Sequence, residues 1–198
     1  MWQRATNPYW RRLPLFVATL AVSCCSATQL SATTLLRLNL DQLARAADAV
    51  ALVRCDSSSA SMQGRAIWTT TQFSQIESFK GALPARFTVR LPGGRAGHIV
   101  ETIESVPRFR VGETGVLFLQ RLDGDGSSVT GWALGTFRIR PGDATHESTV
   151  TQDSSAVALF DPATRRFVTE GIRDLPLSQF RRRLGTALHR NTPEAGSR

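Results

Sequence analysis

The chain has 198 residues, with 24 basic against 16 acidic side chains, three cysteines and four tryptophans. That length supports one ordinary domain with a core of its own and leaves little room for two. The excess of base over acid is modest and almost wholly arginine, Lys80 being the one lysine, and three cysteines cannot build the dense disulfide framework of a small secreted scaffold.

Residues 1–27, MWQRATNPYWRRLPLFVATLAVSCCSA, place Arg4, Arg11 and Arg12 ahead of an uncharged apolar stretch from Leu13 to Val22, and then small residues. This is the layout of a secretory signal. The stretch is shorter than the roughly 20 residues of a membrane-spanning helix, so no transmembrane segment is expected once it is removed. Small residues at Cys25 and Ala27 set cleavage after Ala27 and a mature chain from Thr28. A competing reading takes Ala21-Val22-Ser23 as the approach to a lipid-modified Cys24. The first predicts a periplasmic or extracellular protein, the second one lipid-anchored to a membrane. Removing residues 1–27 removes three arginines and no acid, and lowers the formal charge from +8 to +5.

Cys55 is then the remaining cysteine, without an intramolecular partner. It follows the apolar run AVALV and reads as a small buried side chain, with no neighbour that clearly polarises a thiol.

In the mature chain, Asn39 is placed to cap a short helix, LDQLARAA, with Gln42 three residues on to complete a capping box. Leu40, Leu43, Ala44 and Ala47 share one of its faces. The run from Ala49 to Cys55 suits a strand buried on both sides, and polar DSSSASMQG, Asp56 to Gly64, reads as a loop. Arg65 to Phe79 has strand composition. Its apolar residues change phase, however: Ile67, Phe73 and Phe79 are odd-numbered, Trp68 and Ile76 even, so a bulge or a strongly coiled strand is predicted. Phe73, Ile76 and Phe79 are its core candidates. Gly81 to Ala85 makes the turn, and Lys80 is expected to be a solvated charge guarding the strand end.

Arg86 to Leu91 alternates Phe87, Val89 and Leu91 against Arg86, Thr88 and Arg90, a strand with one wet side. Pro92 to His98 reads as a flexible connection and His98 to Ile103 as a short strand. Thr114 to Leu122 is a core strand. LDGDGSS is a turn, Ser128 to Arg140 one further strand bent at Gly131 and Gly135, and Pro141 to Ser155 a loop. A hairpin from Ala156 to Thr169 is joined by DPAT. After Pro176, Leu177, Phe180, Leu184 and Leu188 fall at helical spacings, with Arg181, Arg182 and Arg183 partly outward. Residues 191–198 read as a disordered tail.

The sum is a mainly β domain over residues 28–190: a five- to six-stranded barrel of the OB type with flanking N-terminal and C-terminal helices, a two-sheet sandwich being the alternative. The order of a short helix, ADAVALVRC, a loop, TTTQFSQIESFKG, another strand and GETGVLFL resembles the netrin-type domain of tissue inhibitors of metalloproteinases. In that family an alanine-aspartate pair opens the first barrel strand, and a phenylalanine-lysine-glycine closes the second after apolar residues at matching intervals. The corresponding residues are Ala47-Asp48 and Phe79-Lys80-Gly81, with Phe73 and Ile76 at the intervals. The likeness spans roughly Leu40 to Arg140. The chain is also similar to a broad set of bacterial exported proteins with the same ribbon, a Gly-Gly loop (Gly93, Gly94) and a Gly-Glu before an apolar strand (Gly112, Glu113).

The resemblance implies the fold more than the activity. Inhibitors of that family chelate the protease zinc through an N-terminal cysteine pinned by disulfides. Here Thr28 would be exposed with no cysteine to pin it, and lipidation of Cys24 would block the amine.

No catalytic or metal constellation emerges, and no cofactor is expected. His98, His146 and His189 are scattered. His98 and Glu101, three apart in a strand, point to opposite faces. Asp123 and Asp125 open a calcium-like motif whose later ligands are missing, and Pro92-Gly93-Gly94 lacks the Lys-Ser or Lys-Thr of a phosphate loop. Arg86, Arg90 and Arg95 with Trp68 and Trp132 raise single-stranded nucleic-acid or anion binding, against which an export signal argues. The expected function is therefore a non-enzymatic exported module that binds a protein or cell-envelope component, with nucleic acid not expected. The alternative is a secreted protease inhibitor acting through PGGRAGH or DSSSASMQG. For an enzyme, the acid-base candidates would be Asp48, Glu77, His98 and Glu101.

Overall fold

The computed structural model describes residues 38–122, 126–156, 159–161, 164–168 and 171–191. The expected export signal, Cys24, the Asp123 and Asp125 motif and the expected tail after 191 lie outside the described residues.

The chain enters through α1 (Leu40–Ala46), capped as its sequence predicts: the Gln42 N–H donates to Asn39 Oδ1 at 2.9 Å and the Asn39 N–H to Gln42 Oε1 at 2.8 Å. Leu43 and Ala44 are buried, and α1 passes directly into β1 (Ala49–Gln63). The first half of β1 is covered on both faces. Val50 and Leu52 belong to one apolar cluster, Ala49, Ala51, Val53 and Cys55 to another. A strand's two-residue alternation sends successive side chains to opposite faces, and here both faces are dry.

Asp56 to Gln63 is not the expected loop. It continues β1 and pairs with β2 (Ala66–Lys80) from Ser57↔Gln72 to Gln63↔Ala66, with Gly64 at φ 62° in the turn. The serines misled because their polarity reports exposure, whereas pairing depends on backbone groups that β2 satisfies.

The predicted break in phase is present, since the β1–β2 register shifts between Val50 and Ala51, Leu52 and Val53, and Cys55 and Ser57. These shifts leave Phe79, Ile76 and Asp56 without a cross-strand partner. Phe73 is fully buried and Phe79 half-buried against the core, but Ile76 is 55% exposed and is not a core residue. The extra residue at Ile76 turns its side chain out while restoring the inward phase of Phe73.

β3 (Arg86–Pro92) buries Phe87, Val89 and Leu91 as predicted. The supposed flexible connection after it is a hairpin, β4 (Gly94–Ala96) paired with β5 (Ile99–Glu101). β6 (Thr114–Arg121) is the buried strand expected. The segment expected as one strand from Ser128 divides into β7 (Ser127–Val129), a 3-10 turn (Trp132–Gly135) and β8 (Thr136–Arg140). Gly131 and Trp132 have φ of 61° and 53°, and a Cβ on Gly135 would lie 2.2 Å from the Thr130 carbonyl oxygen. That backbone cannot run straight. The polar segment expected as a loop contains β9 (Thr149–Gln152). The small hairpin is confirmed as β10 (Leu159–Asp161) and β11 (Arg166–Val168), followed by β12 (Leu175–Pro176) and α2 (Leu177–Arg190).

Eight strands rather than five or six form the large sheet, in the order β1-β2-β3-β7-β6-β8-β9-β12, and β1 pairs additionally with β6. The β3–β7 contact is parallel, at Val89↔Ser127, while the other pairings are antiparallel. On one side, α1 and α2 pack over Val50, Leu52, Val116 and Phe118, with Phe118, Phe137 and Phe180 rings 5.4 and 5.1 Å apart in succession. On the other, Phe73 stands between Phe87 and Phe109 at 5.9 and 5.0 Å. Among the described residues no helix is long and apolar enough to cross a membrane.

Candidate functional site

The paired motifs Ala47-Asp48 and Phe79-Lys80-Gly81 meet at one corner, where α1 turns into β1. Lys80 Nζ donates to the carbonyl oxygens of Ala44 at 2.7 Å and Ala47 at 2.5 Å. It is therefore not the solvated charge expected at a strand end. It satisfies carbonyls that the C-terminus of α1 leaves open and sits at the negative end of the helix dipole. Gly81 has φ 69°, and a Cβ there would lie 2.4 Å from the Asp48 carbonyl oxygen. The Asp48 carboxylate accepts from the Arg121 N–H at 2.8 Å and fastens the start of β1 to the end of β6. Lys80, Gly81 and Asp48 thus all serve structural contacts at this corner.

The acid-base candidates are not brought together. Glu77 pairs with Arg181 at 2.6 Å on α2, Glu101 accepts from the Ile67 N–H at 2.8 Å, and His98 lies exposed in the β4–β5 turn. His146 contacts Asp143, and His189 is exposed on α2. Among the described residues no group of three or more histidines, cysteines and acids could hold a metal.

The Gly-Gly and Gly-Glu motifs also position backbone. Gly93, at φ 79°, donates to the Ile67 carbonyl at 2.7 Å, and a Cβ on Gly94 would lie 2.4 Å from Thr69 Oγ1. The Gly112 N–H reaches the Cys55 carbonyl at 2.8 Å, while Glu113 takes Arg138 Nη1 at 2.5 Å. Arg138 further binds both Asp153 oxygens at 2.8 Å and lies over the Phe109 ring. Burial works against its charge, but hydrogen bonds and attraction to Asp153 and Glu113 outweigh burial and hold its pKa above the ordinary arginine value. Arg108 shifts down through burial, with Glu101 opposing. This network was missed at the sequence level; the one signal available was Arg138 at an otherwise half-buried strand position.

The exposed face of β1, β2 and β3 gathers part of the basic-aromatic set. Thr69, Thr71, Phe73, Phe87, Val89 and Leu91 point into the fold, so the alternate residues Trp68, Thr70, Gln72, Arg86, Thr88 and Arg90 face outward. The registers align Ser61, Trp68 and Pro92 in one row, Ser59, Thr70 and Arg90 in the next, and Ser57, Gln72 and Thr88 in a third. Arg90 lies over the Trp68 ring at 5.3 Å and donates to Gln63 Oε1 at 2.5 Å. The nearest carboxylate in the ladder, Asp56, is occupied by Ser74 at 2.5 Å and Arg54 at 3.6 Å. Arg95 and Trp132 do not join this face: the first is on β4, the second packs against the Phe73 cluster. No protein-family model matches the chain, and no curated protein or solved structure does.

Proposed function

We propose that this is an exported, non-enzymatic binding module, and that the outer face of β1, β2 and β3 is where it meets a protein or cell-envelope component. The observation that carries the reading is that face: rich in hydroxyls and amides, with Arg90 over the Trp68 indole, Arg86 further along the same strand, and the nearby Asp56 carboxylate already engaged. Such a surface offers many weak, directional hydrogen bonds around two cations, which suits recognition of an extended polar partner.

The pairings support an OB-like barrel beneath it. β1 joins β2, β2 joins β3, β3 joins β7, β7 joins β6, and β6 returns to β1. The netrin-type likeness has the same support, because its short motifs converge on the corner where Lys80 holds α1. Export rests on the N-terminal sequence pattern alone.

Sedimentation with isolated envelope fragments from the producing cells tests the binding reading. The protein should co-sediment, and the double variant Arg86→Glu, Arg90→Glu should weaken this about tenfold or more. Binding that ignores the double variant, or no binding, removes this face from consideration. N-terminal sequencing and intact mass of the exported product decide between Thr28 and an acylated Cys24.

A second reading, protease inhibition, is favoured by one observation. The end of DSSSASMQG exposes Met62 beside the β1–β2 turn, and the strand that directly follows PGGRAGH exposes Ile99 and Val100. Dose-dependent inhibition within a panel of metallo and serine proteases, lost in Ile99→Ser, Val100→Ser, would establish it over simple binding.

A further inference from the structure

Positive charge is unevenly spread along the chain. Residues 28–158 hold 13 basic and 12 acidic side chains, whereas residues 159–198 hold eight arginines against four acids, Glu170 and Glu194 included. Three of those arginines are consecutive on α2. Phe180, Leu184 and Ala187 bury one side of that helix. At about 100° per residue, Arg182 projects from the opposite side with Arg181 and Arg183 on its two flanks, and all three are exposed.

α1 adds to the same layer. Arg45, exposed near its end, donates to the neutral Asn191 Oδ1 at 3.1 Å, and Arg190 pairs with Asp41 at 3.3 Å. Arg181 is matched by Glu77. Among the described residues Arg182 and Arg183 form no ion pair, so with Arg45 they are the uncompensated cations of the layer. Nucleic-acid bases find no stacking platform on α2, whose one Phe, Tyr or Trp is the buried Phe180. Nor can α2 insert its apolar side into a bilayer, because the core already uses it. The outer side is a row of guanidinium groups on a helix about 21 Å long, which complements a planar layer of phosphates.

We propose that the outer side of α1 and α2 docks on the surface of an anionic phospholipid bilayer, Arg45, Arg182 and Arg183 meeting headgroup phosphates. Attachment is electrostatic and stops at the headgroups. The surface shares no residue with the β1-β2-β3 face and does not depend on the binding reading given above. Each arginine close to an anionic surface contributes about fivefold in affinity, and salt screens that contribution.

Flotation of the purified protein with vesicles tests this, using phosphatidylglycerol and phosphatidylcholine in equal parts and, as the neutral surface, phosphatidylcholine alone. The protein should float with the anionic vesicles, stay behind with the neutral ones, and be released when salt rises from about 0.1 M to about 1 M, which shortens screening from roughly 10 Å to 3 Å. Arg182 and Arg183 are exposed, so the double variant Arg182→Glu, Arg183→Glu should fold; it should weaken vesicle binding about tenfold or more. Arg65→Glu, Arg110→Glu makes the same change in net charge at exposed positions outside the helix layer, and should stay within about twofold of the unaltered protein. Equal losses in the two double variants would reduce the effect to net charge and overturn the proposal. So would flotation with neutral vesicles, binding that survives high salt, or no flotation at all, whatever the protein's retention on single-stranded DNA.

Discussion

Lys80 shows how much one side chain can decide when its partners are backbone atoms. Its ammonium group holds the carbonyls of Ala44 and Ala47, so Lys80→Met strands both at a half-buried helix end and should cost about 2 kcal/mol. Gly81→Ala forces a side chain into the left-handed region and against the Asp48 carbonyl, and should cost about 3 kcal/mol. Ile76→Thr, at an exposed bulge position, should stay within about 0.5 kcal/mol. Urea denaturation of the three variants checks the order; an Ile76 effect as large as that of Gly81 would refute the bulge assignment. At Asp143 the consequence is one of pH. The Thr145 backbone N–H, then the Thr145 hydroxyl and His146, lower its pKa from 3.8 to about 2. A depressed carboxylate stabilises its turn above its unfolded pKa and loses that contribution as pH falls through the folded one. The Thr145 amide NMR shift should therefore move as pH falls through about 2, a transition that Asp143→Asn removes.

At the scale of elements, Arg138 joins β8 to the segment before β6 and to Asp153 after β9. Arg138→Met leaves two half-buried carboxylates unpaired and should cost about 3 kcal/mol. Arg140→Met, whose pairing with Asp174 is exposed on both sides, should change stability by less than about 0.5 kcal/mol. Equal effects in urea denaturation would mean that Arg138 is a surface pair like the other. Elements with strong periodicity were legible in sequence: the capped helix, the Ala49 to Cys55 core run, the Phe87-Val89-Leu91 face and the last helix place their predicted apolar residues in the core or half-buried against it. Those that failed share a cause. DSSSASMQG, PGGRAGH and the segment containing Thr149 contain polar strands held by backbone pairing with a neighbouring strand, which side-chain polarity does not report. Lys80 and Arg138 failed likewise, because a charged residue's partner is set by tertiary approach across 30-odd and 25 or 15 residues. Of the candidate face, Arg86, Arg90 and Trp68 were legible as a set; the serine rows beside them were not, since they belonged to the presumed loop.

For the molecule as a whole, β1 is shared property. Val50 and Leu52 belong to the cluster under the helices, while Ala51, Val53 and Cys55 belong to the cluster around Phe73, so neither cluster can lose β1 without exposing the other. That coupling predicts one cooperative transition. Cys55 reports on the second cluster. Burial, then the charges of Glu113 and Asp56, raise its pKa above 9.0, with Arg138 opposing, so the native thiol stays protonated and shielded at pH 8. Because the raised value is in the folded state, the stability tied to the neutral thiol is complete below pH 9 and fades as pH climbs through the folded pKa. The helical circular dichroism signal reports on the first cluster through α2. In a urea series at pH 8, Cys55 alkylation and loss of helical signal should share one midpoint, and Phe180→Ala, which empties a fully buried site, should cost about 3–5 kcal/mol and move both midpoints together. Helical signal lost while Cys55 remains protected would show two units folding separately, with β1 bound to only one of them.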